Sequence, residues 1–545
     1  MGTDELCLLC WIVLRIHPSA WRLTLLSALL QILIFPLPRL YFLCWIALAP
    51  LLVALLRTSS ALSIQVDASQ KLNPASPAQG FVLGYGCGVL WYLGSCYWVF
   101  DTMHQYGGLS TPMAGFVLVL FALYLGLYHG AFGLLVALLA RKNSNNRVAL
   151  LASPFVWVAV ELARTRITGF PWDLLGCSQV DNIPLTRIAT VTGVYGMSLE
   201  IMLVNAAFAA AFVVRRNRRR VLLLASLASA GLLQAGRVLH PPPLPTDRAA
   251  VLLQQNLPVG NEESWTKSNF EATLADFVQR SLHPTPTPAI IPDLIVWPES
   301  PAPFFASDPV FRQALSGMAQ KSQAWVVTGS IGVENPTAGA TKSKEFNSAQ
   351  LVSPGGEFLG RYDKNHLVPF GEYVPFRDVF SFAAGLTEAV GDFTHGTSRE
   401  PLEAGDHKLG VFICYESIFP GEVREFAKEG AQLLVNISND GWYGDSGAWA
   451  QHLNQARMRA IENNRWLLRD TNTGLTASID PYGRVVASIP RHERATLIAP
   501  YKLIPDTTIY TEYGDWLPWL CAIISAGALI ARFTTLSRNQ PETHV

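Results

Sequence analysis

A single cysteine, Cys414, lies at the end of an apolar run, residues 410–413, that is typical of a buried strand. It is the only cysteine between residues 240 and 515, so a disulfide within that stretch is excluded. A thiol in this position is a candidate nucleophile. Because the ordinary pKa of a thiol is about 8.5, it needs a base, and the tetrahedral intermediate needs a donor for its oxyanion.

Two further polar residues could supply these functions. Glu299 follows the apolar run 293–296, and its carboxylate could take the thiol proton and return it to a leaving group. Lys364, whose ammonium could stabilise a thiolate and an oxyanion, lies in the polar segment 362–375 with Glu372, a potential partner. Since ligands bind at the carboxyl ends of strands in α/β sheets, we expect these segments and segment 436–444 to converge on one pocket.

Other interpretations of these residues stay open at this stage. A glutamate at a strand end is often a solvated surface group, and a lone cysteine is often a small buried residue. His366 and His452 are alternative bases in a Cys-His scheme, but neither explains the polar residues around Glu299 and Lys364. The sequence has no G-x-S-x-G, P-loop or H-E-x-x-H motif, and a metal mechanism has no visible ligand set.

The composition favours a membrane protein. Half of the 545 residues are hydrophobic and only 15% are charged, which is too apolar for an ordinary soluble enzyme. The 41 basic and 41 acidic residues balance, and no basic-aromatic stripe indicates a nucleic-acid partner. Because a helix needs about 20 apolar residues to cross the hydrocarbon core, we predict eight spans. They are residues 21–37, 40–57, 80–101, 112–140, 148–165, 188–214, 220–236 and 515–533.

The distribution of Lys and Arg predicts the orientation of these spans. One set of alternating loops, which includes residues 141–147 and 215–220, is much richer in Lys and Arg than the other set. By the positive-inside rule, both termini are then cytoplasmic. The large segment between the seventh and eighth spans is therefore expected on the opposite side of the membrane.

That segment is predicted to be an α/β domain. A proline-rich stretch, residues 240–245, is a plausible stiff linker, and strand-like and helix-like runs alternate after it. We predict strands at 249–254, 293–297, 324–329, 347–352, 409–413, 432–437, 466–469 and 475–480, and helices at 267–282, 308–323, 421–429 and 449–463. The expected domains are 1–240 with seven transmembrane helices, 241–513 with the catalytic residues, and 514–545 with the eighth helix and a cytoplasmic tail.

Three motifs in this order resemble the nitrilase superfamily. They are Trp297-Pro298-Glu299, the stretch K-N-H-L-V-P-F-G-E at residues 364–372, and Cys414-Tyr415-Glu416. Together with the membrane spans, they resemble the apolipoprotein N-acyltransferase family. The resemblance also includes G-F-P-W at 169–172 and S-N-D-G-W-Y-G at 438–444, and it covers nearly the whole chain.

The resemblance implies a role for each site residue. Glu299 would be the general base, Lys364 the oxyanion stabiliser and Cys414 the nucleophile, and Glu372 would position Lys364 as a supporting catalytic residue. Four residues are assigned to substrate binding, namely Trp265, Tyr415, Glu416 and Trp442. The implied fold is a four-layer αββα sandwich attached to a bundle of membrane helices.

The implied reaction is ping-pong acyl transfer without a metal or cofactor. A membrane phospholipid would acylate Cys414, and the α-amino group of the diacylglyceryl-cysteine of an apolipoprotein would accept the acyl chain. The expected location is the bacterial inner membrane, with the catalytic domain periplasmic, the protein monomeric and in contact with the lipid bilayer, and no nucleic-acid partner. Residues 376–386 are a candidate flap over the pocket.

Two alternative functions remain. One is a membrane-tethered amidase in which water resolves the same acyl-enzyme; the number of apolar spans disfavours it. The other is a transporter or receptor with an inactive nitrilase-like domain. The intact catalytic residues disfavour that alternative, and so does the scarcity of ionisable residues within the spans, Glu161 and Glu200 being the exceptions.

Overall fold

The structure is a computed structural model. It describes residues 16–36, 39–58, 73–140, 146–213, 216–259, 265–299, 302–334, 343–373 and 393–538. The candidate flap, residues 376–386, lies outside the described residues. The chain divides into two compact units. One comprises the described parts of Met1–Tyr97, Gly115–Leu239 and Asp515–Val545, and the other comprises Trp98–Ala114 and His240–Gly514.

The first unit is helical. Its longer elements are α1 (Pro18–Leu33), α2 (Ala49–Leu56), α3 (Pro77–Ser95), α5 (Thr111–Ala140, most of it), α6 (Asn146–Ala163), α7 (Val194–Val213), α8 (Arg216–Ala235) and α13 (Trp516–Arg538). A short helix, α4 (Trp98–Gln105), belongs to the second unit. Among the described residues, five helices are long and apolar enough to cross a membrane: Thr111–Ala140, Asn146–Thr168, Val194–Val213, Arg218–Val238 and Trp516–Thr534. These helices are those of a membrane protein.

Helices lie in all eight predicted ranges, but three of these ranges do not form one continuous α-helix. In the range 40–57, the 3₁₀ helix Tyr41–Trp45 precedes α2, which begins only at Ala49. The range 80–101 is broken, because α3 ends at Ser95 and α4 begins at Trp98. The range 188–214 begins with the short helix Ala189–Thr192, and the long helix starts only at Val194, after Gly193. Gly193 has a φ of 66°, which α-helical backbone does not adopt, so the apolar run cannot continue as one helix. The count of eight spans stays a prediction.

Helices α3 and α5 pack with their backbones in close approach. A Cβ atom built on Gly84 would lie 2.2 Å from the backbone carbonyl oxygen of His129. A Cβ atom built on Gly133 would lie 2.1 Å from the carbonyl oxygen of Gly80. Small residues at helix contacts allow this approach in membranes, where no hydrophobic driving force holds apolar helices together.

The second unit contains two six-stranded sheets. The strands are β1 (Arg248–Gln254), β2 (Leu294–Val296), β3 (Trp325–Glu334), β4 (Lys344–Val352), β5 (Phe358–Asp363), β6 (Leu402–Ala404), β7 (His407–Ile413), β8 (Leu433–Ser438), β9 (Leu467–Thr471), β10 (Thr476–Ile479), β11 (Val485–Ile489) and β12 (Ala495–Tyr501). The orders are β12-β1-β2-β3-β4-β5 and β11-β10-β9-β8-β7-β6. Parallel pairing joins β1 to β2, β2 to β3, β7 to β8 and β8 to β9.

Side chains of the two sheets form a common core, and helices cover the outer faces. Leu252 belongs to a buried cluster with Val411 and Ile413 of the second sheet, whereas the adjacent Val251 packs with α9 (Lys267–Leu282) and α10 (Pro309–Ser322). Helices α11 (Pro420–Lys428) and α12 (Ala448–Asn463) contribute to the first cluster from beyond the second sheet. The architecture is therefore the αββα sandwich that the resemblance implied.

The predicted elements of this unit are confirmed, but the prediction was incomplete. Each of the eight predicted strands and four predicted helices has a counterpart, and α9 has the predicted bounds. The sequence analysis missed β5, β6, β11 and β12. In β5 and β11 much of the strand is exposed, so neither contains the continuous apolar run on which the prediction relied.

We predict that Gly84→Ala destabilises the protein. The new methyl group would force α3 away from the backbone of α5, at a cost of roughly 1–3 kcal/mol. The matched control is Gly231→Ala in α8, where an added Cβ meets nothing within 4 Å. Thermal unfolding of both variants in detergent checks the prediction, and equal melting temperatures would contradict it.

Candidate active site

Glu299 reaches the site from the first sheet. It lies three residues beyond the end of β2, and its exposed fraction is 7%. The preceding Trp297 anchors the segment, because its backbone N–H donates to Val327 O (2.9 Å) and its indole N–H donates to Ser281 Oγ (2.9 Å). These two hydrogen bonds of Trp297 fix the position of the chain just before Glu299.

Lys364 is buried between two carboxylates. Its Nζ donates to Glu299 Oε1 (3.2 Å) and to Glu372 Oε1 (2.9 Å). Asn347 Nδ2 of β4 donates to the same two oxygens, at 2.8 Å and 2.6 Å. The second oxygen of Glu372 accepts from the backbone N–H of Val368 (2.7 Å). Lys364 and Asn347 therefore hold the carboxylates of Glu299 and Glu372 in fixed positions.

This surrounding keeps Lys364 charged. Burial by itself would lower the pKa of its ammonium, but the carboxylates of Glu299 and Glu372 raise that pKa well above its ordinary value. An ammonium with a raised pKa is protonated at neutral pH and can donate to an oxyanion. Lys364 directly follows β5, an edge strand with alternating burial that contains no continuous apolar run.

Cys414 begins the 3₁₀ turn Cys414–Ile418 at the end of β7 and has a φ of +48°. The side chain is buried, and its thiol interacts electrostatically with Glu299 and Lys364. Burial and the charge of Glu299 raise the pKa of the Cys414 thiol well above its ordinary value, while Lys364 opposes this shift. The resting nucleophile is therefore a neutral thiol, which has to lose its proton during the reaction.

Glu416 holds the chain segments around Lys364 and Cys414 together. One of its carboxylate oxygens accepts from Tyr362 Oη (2.7 Å) and from the backbone N–H groups of Asn365 (2.7 Å) and His366 (3.1 Å). The other oxygen accepts from the N–H of Ile413 (2.7 Å). Burial raises the pKa of Glu416 to about 7. These contacts join Glu416 to other parts of the protein, and its assignment to substrate binding stays a prediction.

The structure places the other three predicted substrate-binding residues at different depths. Tyr415 is buried, with its ring edge-to-face against Phe419 (5.2 Å between centroids). Trp442 is partly buried and packs edge-to-face against Tyr106 (5.7 Å). Trp265 packs on the apolar cluster between the first sheet and its helices. Their binding of substrate stays a prediction.

A polar network behind Cys414 was missed by the sequence analysis. Asp440 lies in the turn Asp440–Tyr443 after β8, where its carboxylate accepts from Arg469 Nη2 of β9 (2.7 Å) and from Ser438 Oγ (2.8 Å). Burial favours its protonated form, but Arg469 and His452 hold the pKa of Asp440 well below its usual range. Charged residues inside apolar strands, such as Arg469, were the signal that could have revealed this network.

The two histidines considered as bases contact other groups than the thiol. His452 Nε2 lies 3.0 Å from the carbonyl oxygen of Cys414, so this nitrogen contacts a backbone group. The ring of His366 stacks on Phe419 (3.8 Å between centroids), and its Nδ1 faces Glu422 at 3.7 Å. Glu299 is therefore the base that the geometry favours. The arrangement can deprotonate a thiol, stabilise an oxyanion and form an acyl-enzyme.

Two family models match the chain. Residues 27–207 match the apolipoprotein N-acyltransferase N-terminal domain, and residues 264–503 match carbon-nitrogen hydrolase. Among solved structures, an amidase from Nesterenkonia sp. is similar at 20% identity and a TM-score of 0.34, covering 49% of this chain and 93% of that one. A carbon-nitrogen hydrolase from Helicobacter pylori is similar at 19% identity and a TM-score of 0.33, covering 54% of this chain and 95% of that one.

Curated relatives cover almost the whole chain. The apolipoprotein N-acyltransferase of Geobacter metallireducens is 35% identical over 94% of this chain and 94% of its own length. That of Methylococcus capsulatus is 35% identical over 86% of this chain and 90% of its own length. With its two matching domains in one polypeptide, the chain belongs to the apolipoprotein N-acyltransferase family.

Proposed function

We propose that this protein transfers an acyl chain from a membrane phospholipid to the N-terminal α-amino group of the diacylglyceryl-cysteine of apolipoproteins. The observation that carries the proposal is the buried Glu299–Lys364–Glu372 cluster in electrostatic contact with the Cys414 thiol. It occurs in a chain that has apolar helices and belongs to a family named for this reaction. In bacteria this transfer would be the last step of lipoprotein maturation.

In the first half-reaction, Cys414 Sγ attacks an ester carbonyl carbon of the phospholipid. Glu299 takes the thiol proton as the sulfur–carbon bond forms, because the thiol is neutral at rest. Lys364 Nζ donates to the oxyanion of the tetrahedral intermediate. When the intermediate collapses, the ester carbon–oxygen bond breaks, Glu299 returns the proton to the leaving oxygen, and lysophospholipid departs.

In the second half-reaction, the α-amino nitrogen of the lipoprotein attacks the thioester. Glu299 accepts a proton from that nitrogen and passes it to the Cys414 sulfur as the carbon–sulfur bond breaks. Lys364 stabilises the oxyanion again. The products are the N-acylated lipoprotein and the free thiol, so the cycle closes without a metal or a cofactor.

The position of the substrates motivates the proposed topology. We infer eight transmembrane spans, both termini in the cytoplasm, and residues 241–513 as a periplasmic catalytic domain of an inner-membrane protein that acts as a monomer. The bias of Lys and Arg toward one set of loops supports this orientation. The domain would then face the leaflet that holds its lipid substrates. Trp265, Tyr415 and Trp442 are proposed to contact them.

The acyl-enzyme is the first testable consequence. After incubation with labelled phospholipid, we expect a hydroxylamine-sensitive adduct of one acyl chain on Cys414, located by peptide mass spectrometry. Cys414→Ser should lack the thioester and all transfer, whereas Cys521→Ala, which changes a buried cysteine of α13, should keep both. Continued transfer without an adduct on Cys414 would contradict the mechanism.

The acceptor distinguishes transfer from hydrolysis. When a diacylglyceryl-cysteine peptide is added to the isolated acyl-enzyme, the label should move to the peptide amine. Release of free fatty acid with the peptide left unmodified would favour the membrane-tethered amidase.

Glu299→Gln and Lys364→Arg should distinguish the role of the general base from that of the oxyanion stabiliser. Glu299→Gln removes the base, and we expect the rate of thioester formation to fall about 10²–10⁴-fold. Lys364→Arg keeps the charge but replaces a compact ammonium with a planar fork, and we expect a loss of about 10²–10³-fold. The control is Lys408→Arg, at a partly exposed position of β7. Burst kinetics of lysophospholipid release measure all three, and a Lys364→Arg burst equal to the control would exclude the proposed oxyanion role.

The protonation state of the thiol gives a pH dependence. Since the pKa of Cys414 is raised, its thiolate fraction should still be increasing between pH 7 and pH 9. The rate of alkylation of Cys414 by iodoacetamide should therefore rise across this range without a plateau. A plateau below pH 8 would indicate a preformed thiolate ion pair and would rule out a neutral resting thiol.

A further inference from the structure

The backbone of Cys414 is held in an unusual conformation. Its φ of +48° is in the left-handed region, which a residue with a Cβ atom adopts only where its surroundings impose it. Its carbonyl oxygen is 3.0 Å from His452 Nε2 of α12. Because the Sγ atom is carried by this backbone, any group that fixes the carbonyl also fixes the direction of the nucleophile.

The partners of His452 define its protonation. A carbonyl oxygen can only accept, so Nε2 must carry a proton and donate it to Cys414. The other ring nitrogen, Nδ1, lies 3.0 Å from Arg469 Nη2 and 3.0 Å from Asp440 Oδ1. A protonated Nδ1 donates to Asp440, and an unprotonated Nδ1 accepts from the guanidinium of Arg469; Nε2 donates to the Cys414 carbonyl in both cases. All three side chains are essentially inaccessible to solvent, and Tyr443 packs edge-to-face on the ring (5.5 Å).

The same network reaches the proposed base. The residue before Asp440 is Asn439, whose backbone N–H donates to Glu299 Oε2 (2.8 Å). The side chain of Asn439 accepts from Asn472 Nδ2 (3.2 Å), so this turn is also tied to the segment after β9. One buried network thus holds the backbone of the nucleophile on one side and a carboxylate oxygen of the base on the other.

We propose that His452 is a positioning residue for the acylation of Cys414. By donating from Nε2 to the Cys414 carbonyl, it keeps the left-handed backbone that directs Sγ toward the acyl donor, and it takes no proton in either half-reaction. This inference rests on the proposed function, since it concerns the same nucleophile.

Two substitutions of His452 distinguish a role in positioning Cys414 from a general contribution to the stability of the fold. In His452→Gln the side-chain amide nitrogen can occupy the place of Nε2 and donate to Cys414. In His452→Asn the amide reaches only as far as Nδ1, so it meets Arg469 and Asp440 but not the carbonyl. We expect His452→Asn to lower kcat for lysophospholipid release about 10-fold, the effect of one lost hydrogen bond, with KM unchanged. His452→Gln should retain activity within about threefold.

The melting temperatures of the two variants are measured alongside, because a purely structural role would lower stability and activity together. Equal losses of kcat in two variants of equal stability would overturn the inference, and so would an undiminished kcat in His452→Asn. If both variants fail to fold, the wild-type protein supplies the test. With ¹³C in the cysteine carbonyls and ¹⁵N in the histidine rings, solid-state NMR should detect a protonated Nε2 close to the Cys414 carbonyl carbon. A histidine tautomer with Nε2 unprotonated at that distance would overturn the inference.

The NMR measurement needs no substrate. If wild-type protein formed no acyl-enzyme with phospholipid, the proposed function would fail while the hydrogen bond of His452 could still be observed. Failure of the positioning role and failure of the proposed function are therefore distinguishable.

Discussion

The ammonium of Lys364 is the charge on which the active site depends. Its side chain is 1% exposed, and a buried cation is tolerated only where partners replace its water. Glu299 and Glu372 replace that water, and Asn347 holds both carboxylates in place. Removing either acid would leave Lys364 with only one of its two charged partners. The contacts that compensate the buried charge of Lys364 therefore also orient the proposed base.

Two packed sheets make this cluster possible. Glu299 and Lys364 come from the first sheet, whereas Cys414 and the turn with Asn439 come from the second. Two of the polar contacts between the sheets lie at the site: the backbone N–H of Asn439 donates to Glu299, and Glu416 accepts from the backbone N–H groups of Asn365 and His366. The common apolar core sets the distance between the sheets, and these hydrogen bonds set the alignment of their strand ends.

The electrostatics of the site suit a base that acts during the reaction. Burial raises the pKa of Cys414, and Lys364 only partly opposes this, so the thiol keeps its proton until the substrate arrives. A neutral thiol is a poor target for adventitious oxidation, because the thiolate is the reactive form. This matters for a cysteine proposed to work in an oxidising compartment, and within the described residues Cys414 is a free cysteine.

The sequence by itself determined the class of fold, the family and the three candidate catalytic residues. Local properties are visible in a sequence. They include apolar periodicity, the alternation of strands and helices, and the short motifs around Glu299, Lys364 and Cys414. The exposed strand β5 had no such pattern, and neither had the glycine contact between α3 and α5. Only the tertiary structure decided that Asn347 bridges two acids, that Glu416 joins the segments around Lys364 and Cys414, and that His452 contacts the carbonyl of Cys414. Each of these contacts joins residues distant in the chain, and they form only when two sheets and a helix are packed together, which is why spacing along the sequence could not reveal them.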